Sequence, residues 1–305
     1  MGRYLLKRLF MAAICVVGVS VIIFVAIRLT GDPTLLLLPE DATEQDFIDL
    51  RKEMGIDKPI PIQYWIFMKQ VAHGNFGESV RYKMPALKLV LNRFPATLQL
   101  GLFSFVISVS WGLFMGVSAA RLRGSPWDQG VRVITTAGLS LPTFWIGIMA
   151  ILIFAVNLGW LPTSGRGTFW HFILPAVAMA AHSSSSMGRI TRSSMLNVLG
   201  SDYIKMARVK GNPEWRVNYL HGLKNASIPV VTLMGLQLAT KMSASVVIES
   251  IFAWPGCGKL ILDAIYARDY AVVQAGVSLM SLLFIGINVM VDLLYGFLDP
   301  RIRYD

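Results

Sequence analysis

An all-α integral membrane bundle of six transmembrane helices, with both termini cytoplasmic, is the fold class this sequence predicts. Three observations lead there. The 305 residues are 54% hydrophobic and only 15% charged, a composition of polytopic membrane proteins rather than of soluble cores. Long apolar runs recur along the chain with lengths that suit a bilayer. The excess of bases, a formal net charge of +10, sits in short loops beside those runs, which is the positive-inside pattern. That placement also argues against nucleic acid as a partner, because no basic helix with interleaved aromatics stands free of the membrane. Cys15 falls in an apolar run and Cys257 in a loop, so geometry argues against a disulfide between them. No Cys/His cluster has metal-ligand spacing.

Arg3, Lys7 and Arg8 precede the first apolar run, Leu9 to Ile27. The run is longer than a signal-peptide core and no small-x-small cleavage site follows it. It reads as an uncleaved first span with a cytoplasmic N-terminus. Residues 28–94 are the one long polar region. Gly31-Asp32-Pro33 breaks the first helix, and Thr43 to Asp46 opens a helical pattern with Phe47, Leu50 and Met54 on one face. Lys58 to Pro61 separates it from a second helix, Tyr64 to Val71. Acids and bases nearly balance here, which suits a small extracytoplasmic helical layer. Residues 1–95 therefore form one region and 96–303 a core of five further helices.

Ala96 to Ala120 is the second span. Arg121, Arg123 and Arg132 surround the turn Gly124-Ser125-Pro126, which places it in the cytoplasm. Val133 to Asn157 is the third span, with Pro142 inside it, where it should kink the helix and free a carbonyl. Trp160 and Trp170 suit an outer interfacial belt. Phe172 to Ile190 is the fourth span. Its stretch His182 to Ser186, Ser184 included, is too polar for lipid and belongs in the bundle interior, with His182 hydrogen-bonded there. Arg189 and Arg192 mark its inner end. Pro229 to Ile251 is the fifth span, 250–270 an outer loop, and Ala271 to Leu298 the sixth span. Asp292 reads as a satisfied or snorkelling charge. Asp299 to Arg303 closes the chain in the cytoplasm.

Between the fourth and fifth spans lies the basic segment Asp202 to Pro229. Ser201 should cap a helix from Asp202 to Lys210, and Gly211 should stop it with a positive φ. Asn212 should cap a second helix, with Pro213 first and Glu214 at its positive dipole end. Trp215, Tyr219 and Leu223 then form an apolar stripe among Lys205, Arg208, Lys210, Arg216 and Lys224. Such a pair suits docking into a groove on another protein; composition alone favours a solvated loop on the inner face.

The run Asp202-Tyr203-Ile204-Lys205-Met206-Ala207-Arg208-Val209-Lys210-Gly211, with Ile228-Pro229 beyond it, resembles the cytoplasmic signature loop of binding-protein-dependent ABC importer permeases. Ala207 and Gly211 keep the spacing of the family's Glu-Ala-Ala-x-x-x-Gly, while Lys205 and Met206 replace its Glu and first Ala. Gly138 to Trp145, Leu158 to Pro162, Thr191 to Leu196, Trp254 to Lys259 and Arg268-Asp269-Tyr270 are similar to the dipeptide/oligopeptide branch. Cys257 stands where an aliphatic residue is usual, which points to packing. The resemblance implies the type I ABC importer permease fold, with 200–228 as the coupling loop in the bacterial or archaeal inner membrane. It implies an ATPase contact through Asp202, Tyr203, Lys205, Ala207, Arg208, Gly211 and Glu214. It also implies a second permease, two ATPase subunits or domains that bind ATP and Mg, and a periplasmic or lipid-anchored solute-binding protein. Peptides or similar small solutes are the substrates it implies.

The chain carries no phosphate-cradling loop of its own. Gly258-Lys259 is followed by Leu260, and Ala253 stands where the first Gly belongs. No cofactor, nucleophile elbow or catalytic residue is expected. An ion-coupled secondary transporter, the alternative class, calls for broken helices and intramembrane acids; only Asp292 and Glu249 are candidates, both near span ends. Lys241 is the one base deep in a span, with Ser245 and Glu249 at i+4 and i+8. Such a charge costs about 2.5–3.5 kcal/mol at the midplane. It either lines a substrate path with Ser245, Ser184 and Pro142, favouring anions, or snorkels toward Glu249 and the interface.

Overall fold

Residues 2–29, 43–53, 57–243 and 245–298 are described by a computed structural model. Their regular secondary structure is helical. The helices are α1 Gly2–Leu29, α2 Glu44–Glu53, α3 Ile60–Ala72, α4 Ala86–Arg121, α5 Pro126–Ser140, α6 Thr143–Ala150 and α7 Trp170–Leu199. There follow α8 Asp202–Val209, α9 Glu214–Arg216, α10 Lys224–Ser243, α11 Ser245–Ile251, α12 Cys257–Tyr266 and α13 Tyr270–Leu298. π-helical turns, Ile151–Asn157 and Val217–Leu223, continue α6 and α9. Phe10–Leu29 of α1, all of α4 and Tyr270–Leu293 of α13 are long and apolar enough to cross a membrane. Two bent pairs also qualify: α5 with α6 and its π turn, and Glu214–Lys241 with α11. The expected break at Gly31-Asp32-Pro33, the position of Met54, and the closing residues 299–303 lie outside the described residues.

Several boundaries move for physical reasons. Pro142 does not kink a continuous third span. It caps α6, and Leu141 before it is forced to extended geometry (φ −81°, ψ 131°), so the two segments diverge by 108°. The second span begins ten residues before Ala96, because Leu89 and Val90 are buried and draw the first turns into a core despite Pro95. α3 begins at Ile60 rather than Tyr64, since Pro61 fits a first helical turn, where its missing N–H costs nothing. The outer loop 250–270 contains a helix, α12, whose Cys257, Leu260 and Ala264 are buried on one face.

The chain groups into two compact units, and the division follows packing rather than chain order. Met1–Thr97 goes with Pro255–Leu293, and Leu98–Trp254 forms the other unit. In the first unit, Ile27, Leu89, Val90, Cys257, Leu260 and Val272 share a core. Cys257 packs there, its N–H donating to Thr97 Oγ1 at 2.8 Å. Phe24 stacks on Tyr64 and Phe67, and Arg28 lies 3.7 Å over its ring while donating to Gln63. Asp269 precedes α13 and accepts from Ser79 Oγ and, at 3.4 Å, from Arg81 N–H. Asp292 is satisfied by Arg8 at 2.7 Å.

The second unit is organised around α7, with α4, α5, α6 and α10 packed against it. Lipid supplies no hydrophobic drive between helices, so backbones must approach closely. Gly112 and Gly116 of α4 supply that approach. A methyl group at 112 would fall on the Met187 side chain, and one at 116 on Thr191. Gly138 of α5 does the same against Ser185. The facing positions of α7, Ser184, Ser185, Met187, Gly188 and Thr191, are buried.

Gly116→Val should therefore lower the thermal midpoint of the detergent-solubilised protein and its folded yield, since overpacking costs about 1–3 kcal/mol. Gly130→Ala, on the open face of α5, should leave both unchanged in the same fluorescence-monitored melt.

Candidate coupling surface and buried charges

α8 and α9 meet at a corner that three local devices hold. Gly211 adopts φ +76° with open space around its α-carbon, so conformation, not crowding, calls for glycine there. Its N–H donates to Arg208 O at 2.9 Å. Asn212 does not cap the second helix as expected: its side-chain amide donates to Ala207 O at 2.9 Å and closes the end of α8 instead. Pro213 takes the cap position of α9. Ser201 has the extended backbone of a cap, but its hydroxyl turns back to Val198 O, so no side chain caps α8.

Across the corner, Arg208 Nε donates to Glu214 Oε1 at 2.9 Å, and Asn218 adds a bond to Oε2. The Arg208 hydrogen bond holds the Glu214 carboxyl below the usual carboxylate range. Both groups are largely exposed, so the pair contributes about 0.2–1 kcal/mol and matters mainly for shape. Lys205 pairs with Asp202 at 2.8 Å on the exposed side. Ile204 and Ala207 are buried beneath α8, while Tyr203, Met206 and Val209 stand out in solvent.

The expected stripe Trp215–Tyr219–Leu223 is only partly present. Trp215 and Tyr219 are exposed, but the π turn from Val217 changes the angular step, and Leu223 packs inward beside Val117, Met195 and Ala226. Tyr219 lies 5.9 Å from the Arg121 guanidinium. A cleft of about 400 Å³ opens beside the corner, lined among others by Arg121, Arg123, Arg208, Glu214 and Asn218.

Asp128 is a residue the sequence reading passed over. It sits in the first turn of α5, its side chain 1% exposed, and accepts from Arg192 Nε at 2.6 Å and Nη2 at 2.9 Å. Gly124 N–H adds a third bond. The Arg192 hydrogen bond holds its carboxyl well below the usual range. The signal was available: Asp128 is the lone acid in a loop of arginines, three residues after the capping Ser125.

The expected substrate-path residues do not share an open face. Lys241 is 2% exposed, and its ammonium donates to Ser104 Oγ at 2.9 Å and Met179 O at 2.6 Å. Helix packing supplies acceptors that lipid would not. One turn earlier Gln237 donates to Ser183 O at 3.1 Å, making a two-rung polar ladder from α10 to α7. Ser184 is buried and bonds back to Ala180 O, the local bond a helical serine makes with its own backbone. Ser245 and Glu249 are buried; Pro142 is exposed at the α5–α6 break. His182, expected inside, is exposed, because the buried face of α7 is taken by Ser184, Ser185 and Met187.

Two outcomes test these assignments. Asp128→Asn should lower the thermal midpoint strongly, since breaking one side of a buried pair costs about 3–5 kcal/mol. Lys241→Ala should destabilise, by about 2–5 kcal/mol for the truncation, whereas Lys241→Met keeps the volume and should leave the KM of transport unchanged. A KM change in the Met variant at full stability would return Lys241 to the passage.

Comparison with known proteins bears on all of this. Residues 112–304 match the family model described as binding-protein-dependent transport system inner membrane component. Residues 1–101 match the model for the N-terminal part of such membrane components. The glutathione transport system permease protein GsiC of Salmonella typhimurium (strain LT2) is 41% identical over 306 residues, covering all of both chains. GsiC of Escherichia coli (strain K12) is 40% identical over 305 residues, again covering both in full. A chain of the MetNI methionine ABC transporter, solved in inward facing conformations, is similar in fold with a TM-score of 0.53 at 18% identity. It is covered over 96% of its length by 69% of this chain.

Proposed function

Because the chain belongs to the family of binding-protein-dependent transport system inner membrane components, we propose that its α8–α9 corner is where an ATPase partner engages it. The family makes it a permease component of an ABC importer in the bacterial inner membrane, a transport subunit whose ATP hydrolysis occurs in partner subunits. In this reading the chain forms half of a translocation path with a second permease. Two ATPase subunits or domains bind ATP and Mg, and a periplasmic or lipid-anchored binding protein delivers the solute. The corner and the N-terminus face the cytoplasm. The relatives named for glutathione transport support glutathione or a related short peptide as the solute.

One observation carries the coupling assignment. The corner is stiffened by Gly211, Asn212 and the Arg208–Glu214 pair, yet it presents Tyr203, Met206, Val209 and Trp215 to solvent. Exposed apolar side chains on a rigid basic mount are a contact surface without a contact. The mount has a transmission path. α7 enters the corner through Leu199 and Gly200, and the π turn leaves it into α10. Gly222 in that turn packs on Leu199 and Met195, where a methyl would stand at 3.3 Å from each. A push on the corner therefore reaches α7 and α10 together, and the Gln237–Lys241 ladder holds these helices to one another farther along.

Gly211→Asp tests the reading in the complex co-expressed with partner permease, ATPase and binding protein. An L-residue at this φ costs about 1–2 kcal/mol, with no clash, so the permease should fold. ATPase stimulation by glutathione-loaded binding protein should fall at least tenfold, or the ATPase should dissociate on purification. Full stimulation in this variant would remove the corner from coupling. Lack of stimulation by glutathione in the wild type, with stimulation by another peptide, would replace the solute alone.

A further inference from the structure

α7 has a second face that neither its packing nor the coupling reading uses. His182, Arg189, Ser193 and Asn197 are exposed and Ser186 is half-buried. Their spacing of four, three, four and four residues puts them on one stripe. The opposite stripe, Ser184, Met187, Thr191 and Met195, is buried. α7 is long enough to span, 30 residues, yet it is absent from the helices apolar enough to do so among the described residues. His182 lies about 18 Å along the axis from Trp170 at 1.5 Å per residue, near the middle of the helix. A polar stripe at that depth is costly against lipid and needs protein or water beside it. α7 contains no Asp or Glu. Arg192 is consumed by Asp128, but Arg189 and His182 have no hydrogen-bond or ion-pair partner among the described residues.

We propose that the stripe His182–Ser186–Arg189–Ser193–Asn197 lines the inner half of the translocation passage and favours solutes bearing carboxylates, with Arg189 as its anion-selecting group. The inference rests on the importer reading and deepens it by naming the wall of the path and the solute charge. His182 marks where the polar stripe stops, since Ala178 and Pro175 above it are buried. Arg189 stands two turns below, where it meets a solute leaving toward the cytoplasm. The charge is unopposed, so it attracts an anion; it is single and exposed to water, so it does not trap one.

The test uses the whole complex with Cys15→Ser, because Cys15 is exposed and Cys257 buried. Single cysteines are placed by Ser186→Cys and Ser193→Cys, with Val106→Cys on the exposed apolar side of α4 as a lipid-side control. The probes are an anionic and a cationic methanethiosulfonate of similar size. Without nucleotide, the stripe positions should react at least tenfold faster than position 106. The anionic probe should gain over the cationic one, and Arg189→Gln should erase that gain. Uptake should echo it: Arg189→Gln raises the KM for glutathione about fivefold with kcat kept, changes a neutral tripeptide amide less than twofold, and is rescued by Arg189→Lys. Slow labelling at 186 and 193 would mean the stripe is covered by the second permease, which overturns the passage. Equal effects on charged and neutral peptides overturn the anion selection. ATPase stimulation that persists in these variants keeps the importer reading standing in either case.

Discussion

Close backbone approach around α7 is the constraint on which the rest of the second unit depends. In lipid a leucine gains little by leaving its solvent for another helix, so contact must come from shape. Gly112, Gly116 and Gly138 bring α4 and α5 onto the α7 backbone, and the partner positions on α7 are small or unbranched. Once that face is sealed, two consequences are fixed. The remaining face of α7 must hold whatever polarity the packed face cannot take, and the corner that follows Leu199 must leave in the direction α7 sets.

The same constraint explains how charge is tolerated. Lys241 is deep in a span, yet close packing brings a hydroxyl and a carbonyl to its ammonium. That carbonyl, Met179 O, already serves the α7 helix, so a second donor uses its spare lone pair without unwinding anything. Asp128 is dealt with in the same way at the other end, where Arg192 meets it in a bidentate pair. In both cases a buried charge is bound internally. What distinguishes Arg189 is the lack of any such neighbour in the described residues, not its depth.

Local chemistry was legible in the sequence where one residue decides. Gly211 stops α8 because only glycine takes φ +76° without strain. The starts of α7 and α13 follow from the apolar runs, whereas α7 continues nine residues past the expected Ile190, to Leu199. Features that two distant segments decide were not legible. Asn212 could serve either helix; the free carbonyl of Ala207 won, and no sequence window shows which carbonyl is free. Pro142 reads as a kink from propensity, but a 108° break needs α6 to find packing in a new direction, here Gly147 against Phe252. α12 was hidden because Trp254-Pro255-Gly256 looks like loop, and its helix follows from burial of Cys257 and Leu260. The helix from Asp202 and its corner at Gly211 were legible by resemblance; the burial of polar residues in the spans was not, since polarity within a span does not say which side of the helix is packed.

That last ambiguity has a physical resolution. A helix in a transport protein carries two kinds of polar group, those that hold the bundle and those that meet the solute. Both are expensive in lipid, and both avoid it. The first kind is bound within the chain and fixed in one geometry, as the Lys241 ammonium is through Ser104 Oγ and Met179 O. The second kind must stay unsatisfied within the chain, or no binding energy is left for a passing solute. Selectivity in a passage therefore resides in the groups that the fold leaves exposed on an otherwise well-packed helix. On α7 the two kinds lie on opposite faces of the same turns: Ser184 and Ser185 with Gly188 inward, and His182, Ser186 and Arg189 outward. A rotation of α7 driven from the corner would move the second set relative to the passage. The first set would have to keep its contacts or give them up. The close approach at Gly112 and Gly116 makes giving them up costly, so α7 and α4 should move together as one wall.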